Sequence, residues 1–206
     1  FYLLSTNNAR VSNLSHARLM IEQHGHELFL KYAPEGGSVL ELGDQIMNLE
    51  FVQNISAKDY YTSLGYKHTS VDINGKHGSL AIDLNYPSKS IGQFDIVTDF
   101  GTGEHLSNLY QFLSNTFMYC STDGIIIHKN PKTGSFPFHC YHYFTMQFWV
   151  EYARLCNLDI IELYEHAIYG NTTDGWEVIV VLRKKVDSCP LLHSEWESIE
   201  YLIKSE

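Results

Sequence analysis

Positive charge is scarce in this chain. Lysine and arginine total 14 against 24 aspartate and glutamate, a net charge of −10 over 206 residues with histidine neutral. Such a chain gains nothing overall from neutralising phosphates, so duplex nucleic acid is not an expected partner. The only compact basic run, Arg183-Lys184-Lys185, reads as the charged end of a surface strand. Cysteine is sparse too, at positions 120, 140, 156 and 189, and no pair has C-x-x-C spacing. That excludes a zinc knuckle or a thioredoxin-type motif and leaves reduced thiols in a cytoplasmic protein as the expectation. No apolar run approaches the length of a membrane span. The opening Phe1-Tyr2-Leu3-Leu4 is too short for a signal-peptide core. Two phosphate-binding signatures are also missing: neither G-x-G-x-x-G after a first strand nor G-x-x-x-x-G-K-[ST] occurs.

What is present is apolar and aromatic material in quantity. Hydrophobic residues make up 44% and aromatics 14%, enough for one domain with a substantial core. A polar arm over 1–13 leads into Leu14, Ala17, Ile21, Leu28 and Leu30, whose spacing predicts one helix or two short ones broken at Gly25 and capped by Asn13 or Ser15. Pro34 and Gly36-Gly37 end it.

Short apolar runs then alternate with helical patterns. Strands are expected at Ser38–Gly43, His68–Ile73, Leu80–Leu84, Phe94–Phe100, Gly124–His128, Leu158–Tyr164 and Glu177–Leu182, seven in all. Helical stretches are expected within 45–64, over 104–120 and over 145–157, with an amphipathic helix in the tail. This alternation predicts an α/β fold: a three-layer α/β/α sandwich around a seven-stranded, mostly parallel sheet whose last strand is antiparallel. The organisation expected is an arm and helix over 1–37, an α/β domain over 38–186 and a helical tail over 187–206, with a homodimer contact through the tail as a lesser possibility.

In an open parallel sheet, ligands sit beyond the carboxyl ends of the strands. Each of those ends carries a polar residue here: Glu41 and Gly43, then Asp72, then Asp83, then Asp99 followed by Gly101, then His128 followed by Asn130. Singly, an aspartate in such a place can merely cap a turn. Glu41 is different, because a carboxylate inside a buried strand is costly without a partner.

This ordered set, over roughly residues 38–185, resembles the class I S-adenosylmethionine-dependent methyltransferases. The first motif stands as Glu41-Leu42-Gly43-Asp44-Gln45, the second as Val71-Asp72-Ile73, the third as Ala81-Ile82-Asp83-Leu84 and the fourth as Phe94 to Asp99. The first loop departs from the family pattern in having Gly43 alone where two or three glycines are usual. The resemblance implies S-adenosylmethionine as cofactor, held by Glu41, Gly43, Asp44, Asp72, Asp83, Asp99 and Gly101, and a small-molecule acceptor. A carboxylate accepting from a ribose diol makes strong, charge-assisted bonds, and an acidic pocket suits a sulfonium.

Histidines gather in the second half: His105 after Glu104, then His128, His139 and His142. A histidine is a natural proton acceptor near neutral pH, so His128, His139 and His142 are the candidate catalytic residues, the last two on a lid-like loop over 131–143. Zinc at His139-x-x-His142 with Asp99 or His128, or magnesium at Asp99 and Asn130, is a rival arrangement; the rest of a metal pattern is missing and no metal is expected. The function expected is methyl transfer to oxygen or nitrogen. A methyltransferase-like fold without catalysis, serving as a scaffold, is the alternative that the glycine-poor loop suggests. A histidine-based metal hydrolase is a third.

Overall fold

A computed structural model describes residues 20–168, 175–187 and 191–203. The expected caps Asn13 and Ser15 and Cys189 lie outside the described residues.

The principal sheet has six strands: β2 (Ser38–Leu42), β5 (Lys67–Val71), β6 (Phe94–Phe100), β7 (Cys120–Pro131), β8 (Leu158–Ala167) and β9 (Trp176–Lys184). Their order is β5-β2-β6-β7-β9-β8. The first four run parallel, and β9 is antiparallel to both β7 and β8. A second, three-stranded sheet joins β1 (Met20–Glu22), β3 (Ile46–Asn48) and β4 (Gln53–Ser56).

The period-two alternation along the strands explains why both faces are covered. Leu40, Leu42, Val97, Ile126, Val178, Val180 and Leu182 face one core, built with α3 (Leu109–Tyr119), α4 (Met146–Leu155) and α5 (His193–Ile199). Val39, Ile96, Ile125, Ile127, Ile179 and Val181 face the other, built with α1 (Gln23–Tyr32) and α2 (Ala57–Ser63). The result is three layers. Helix starts obey local chemistry: Ser56, Asn108 and Thr145 cap α2, α3 and α4, each side chain accepting from the backbone N–H three residues on. No helix among the described residues is long and apolar enough to cross a membrane.

Three expectations are corrected and two are refined. The third strand, Leu80–Leu84, is reduced to a single bridge between Leu80 and Val71, because Asp83 and Asn85 bond to each other and turn the chain away. The sheet therefore has six strands, not seven. Residues 45–64 hold the β3–β4 hairpin before the short α2, and Met20–Glu22, expected to be helical, pairs with β3. The helix runs unbroken through Gly25, which is buried with room for Ile21 and Phe100 against it. Lys184 is not at a surface.

Lys184 is fully buried and ties two layers together. Its ammonium donates to the carbonyls of Phe117 at 3.0 Å and Cys120 at 2.6 Å, at the carboxyl end of α3, and lies over the Phe117 ring. A cation there satisfies carbonyls that the helix leaves open and complements its dipole. Replacing Lys184 with Met should destabilise the protein by about 2 kcal/mol or more, since the carbonyls lose a charged donor; urea unfolding checks this, and a change within error would show that water serves those carbonyls as well.

Candidate active site

Because β2, β5, β6 and β7 are parallel, their carboxyl ends share one edge of the sheet. The register sets Leu42 beside Asp99, and Asp99 beside His128.

At the end of β2, Glu41 is buried and Oε1 accepts from the Gln45 N–H at 2.9 Å, while Oε2 lies 3.5 Å from Nε2 of the equally buried His68. Burial outweighs these partners and holds the Glu41 carboxyl above the usual range. Gly43 has φ of +105°, and a Cβ there would fall 2.4 Å from Thr102 Oγ1 and 2.9 Å from Gln45 Nε2. The Thr102 hydroxyl donates to the Leu42 carbonyl at 2.8 Å. Gln45 is buried, and its Oε1 has no hydrogen-bond partner.

Asp44, Asp72 and Asp83 line the same edge. Asp72 Oδ2 accepts from the Asp44 N–H at 3.1 Å and Oδ1 from the Asn74 N–H at 2.8 Å. The Asp44 carboxylate meets Nδ1 of His77 at 2.7 Å. Asp83 Oδ1 accepts from the Asn85 backbone and side chain.

Asp99, at the end of β6, is buried and has four donors. Its Oδ1 accepts from the N–H groups of Thr102 (3.0 Å) and Gly103 (2.9 Å), and its Oδ2 from His128 Nδ1 (2.8 Å) and Asn130 Nδ2 (3.0 Å). Burial would raise its pKa, but His128 and the other donors hold it below the usual range. The same Asn130 amide donates to Glu104 Oε2 at 3.0 Å. Burial, with Asp99 ionised nearby, pushes Glu104 up to about 8.

Gly101 and Glu104 open onto a small, narrow cleft, lined also by Phe100, Lys129, Phe136 and His139. On its far side the buried Lys129 bonds to Glu22 at 2.5 Å and Glu177 at 2.7 Å. Burial would lower the lysine pKa, but the two carboxylates outweigh it and hold it above its usual value.

The three candidate histidines do not converge. His128 is fully buried and stacked on Trp149 with ring centroids 4.5 Å apart. His142 is turned away, its Nε2 donating to the Leu106 carbonyl at 2.8 Å, and burial lowers its pKa. Only His139 of the three lines the cleft. The loop carrying it is not loose: the Tyr143 hydroxyl donates to the Phe136 carbonyl and accepts from the His139 N–H, and the Tyr141 and His142 N–H groups donate to the Glu104 carbonyl. Sequence reasoning missed Glu22, Lys129 and Glu177 as site residues. Glu22 is 107 positions from Lys129, and no local pattern joins them.

No family model matches the chain, and no curated protein matches it. Solved structures do. An N1-methyltransferase from Burkholderia thailandensis, crystallised with 1,6-didemethyltoxoflavin and S-adenosylhomocysteine, superposes with a TM-score of 0.53 at 13% identity, covering 90% of this chain and 93% of that one. A SAM-dependent methyltransferase from Methanosarcina mazei gives 0.54 at 13%, covering 77% and 97%. A coclaurine N-methyltransferase bound to N-methylheliamine and S-adenosylhomocysteine gives 0.54 at 12%, covering 89% and 76%. The chain has the class I methyltransferase fold. In the sheet order, β2 and β5 lie to one side of β6, and β7, which carries Lys129 of the cleft, lies to the other.

Glu41 yields a pH test. A carboxyl whose pKa is raised by folding holds its proton in the native state where the unfolded chain has released it. Its contribution is full at acidic pH and fades as pH rises through the raised value. Glu41→Gln should therefore gain on the wild type as pH rises upward from the ordinary carboxylate range. Urea titrations across that range measure it, and a pH-independent difference would show that Glu41 is ionised in both states.

Proposed function

We propose that this chain is an S-adenosylmethionine-dependent methyltransferase acting on a nitrogen or oxygen of a small molecule, in the cytoplasm. The observation that carries the reading is the row of carboxylates Glu41, Asp44, Asp72 and Asp99 at strand ends, with Asp83 in the turn that follows Leu80, in a methyltransferase fold with a cleft beside Gly101. The three neighbours described above, two of them with S-adenosylhomocysteine bound, support it.

The residues fit the cofactor. Each Asp72 oxygen spends one bond on the backbone, and a carboxylate oxygen accepts two, so a ribose diol can be held at the same time. Asp83 uses only Oδ1 among the described residues. The orphaned buried Oε1 of Gln45 beside Gly43 marks a polar position awaiting a donor. Over Gly43 lie two side-chain ends, from Thr102 and Gln45, and rotation of these would let a ligand approach the backbone.

When bound, the cofactor supplies an electrophilic methyl group on a sulfonium. The chain contributes position and field: the carboxylates favour positive charge, and Phe100, Gly101 and Phe136 line the cleft in which the acceptor would sit. His139, Glu104 and the Lys129–Glu22–Glu177 group are the polar side chains that line the acceptor cleft. His128 is a positioning residue, acting through Asp99.

Asp72→Ala should weaken binding of S-adenosylhomocysteine by about tenfold or more, the scale of a lost charge-assisted pair, measured by calorimetry. Unchanged affinity would remove the ribose assignment. A folded wild-type chain that binds neither S-adenosylmethionine nor its demethylated product would leave a scaffold in place of an enzyme.

A further inference from the structure

Three side chains from two distant segments meet at one wall of the cleft: Glu104 and His105 from the turn after β6, and His139 from the 131–145 loop. One ligating atom from each lies within 4.8 Å of the other two. Nε2 of His105 is 3.9 Å from Oε1 of Glu104, and the rings of His105 and His139 stand edge to face with centroids 4.6 Å apart. The juxtaposition is built by the backbone, since the Glu104 carbonyl accepts from both Tyr141 and His142 and so anchors the loop on the turn. We propose that Glu104, His105 and His139 bind one divalent transition-metal ion of the zinc or manganese type.

The donor set decides the class of ion. Two imidazoles and one carboxylate suit a borderline ion such as zinc, whereas magnesium and calcium prefer oxygen throughout. Burial grades from Glu104, fully inside, through His139, half-buried, to His105, exposed. Three protein ligands leave coordination positions open, which is the pattern of sites that bind water or substrate; here the open side is the cleft. Negative charge from Asp99 lies beside the site, whereas Glu22 and Glu177 are balanced by Lys129. Glu22, Glu104 and Glu177 line the cleft with Lys129, and Asp99 shares the Asn130 amide with Glu104. Glu104 pairs with no lysine or arginine among the described residues.

A second group of possible ligands, Glu22, His166 and Glu177, works as the contrast. There the Lys129 ammonium already sits between the two carboxylates, so the cation is the protein's own. The rival pairing of His139 with His142 weighed from sequence is not formed, because His142 is spent on the Leu106 carbonyl. The proposal goes beyond the cofactor reading, as the ion needs no S-adenosylmethionine to bind.

The test is calorimetric titration of zinc, and separately manganese, into chelator-stripped full-length protein without cofactor, with cobalt(II) absorbance reporting nitrogen ligation. One ion per chain is expected. His105→Ala and His139→Ala should each weaken binding by about tenfold or more, while His166→Ala leaves it unchanged. His105 is exposed, so its variant keeps the test valid if a change at buried Glu104 impairs folding; thermal unfolding monitors each variant. A folded wild-type chain that takes up no ion, affinity that survives His105→Ala and His139→Ala, or equal loss in His166→Ala would each overturn the site. Because S-adenosylhomocysteine binding is measured separately, failure here and failure of the methyltransferase reading are distinct results.

Discussion

The organisation of the site depends on one buried carboxylate. Asp99 ends β6 where the sheet opens, inside a low-dielectric interior that penalises an ionised acid heavily. It remains ionised because four donors converge on it: two backbone N–H groups from the following turn and two side chains from β7. Those bonds fix the turn over Thr102 and Gly103, and the turn in turn places Gly101 and Glu104 at the mouth of the cleft. Gly103 leaves no alternative, since a Cβ there would meet Phe112 at 2.5 Å and Asp99 Oδ2 at 2.9 Å. Burial first, and the ionised Asp99 second, make the neighbouring Glu104 favour its protonated form.

Around this point the two sides of the edge differ in kind. The β2–β5 side is lined with carboxylates bonded mainly to nearby backbone, which leaves acceptor capacity for a polar ligand. The cleft side is partly apolar, with Phe100 and Phe136, and keeps its charges in compact groups. Lys129 illustrates the rule for buried ions: it is tolerated because Glu22 and Glu177 both contact it. Glu22 comes from β1, so the small sheet is a structural partner of the cleft as well as a cover for one core.

Much of the fold was legible because it rests on short-range pattern. Six of the seven expected strands form the main parallel and antiparallel ladder, most of them readable directly as short apolar runs. Leu80–Leu84 misled for the same reason: it has a strand's composition, but Asp83 and Asn85 satisfy each other locally and withdraw the chain from the ladder. The β3–β4 hairpin was illegible because Gln53–Ser56 is largely polar and pairs only because Met47 and the neighbouring core give β3 a place to lie.

For the site, the sequence by itself determined which side chains stand at the strand ends, since parallel strands and a two-residue period leave little freedom there; Glu41, Gly43, Asp72 and Asp99 follow from that. Only the tertiary structure decided what those groups touch. His128 carries the same ring whether it faces a pocket or Trp149, and its pairing with Asp99 depends on the register of β6 and β7. The joining of His105 to His139, of Lys129 to Glu22 and Glu177, and of Lys184 to the end of α3 spans dozens of residues in each case. Such contacts leave no periodic trace along a chain, because their energy depends on distance in space and on burial rather than on spacing in sequence.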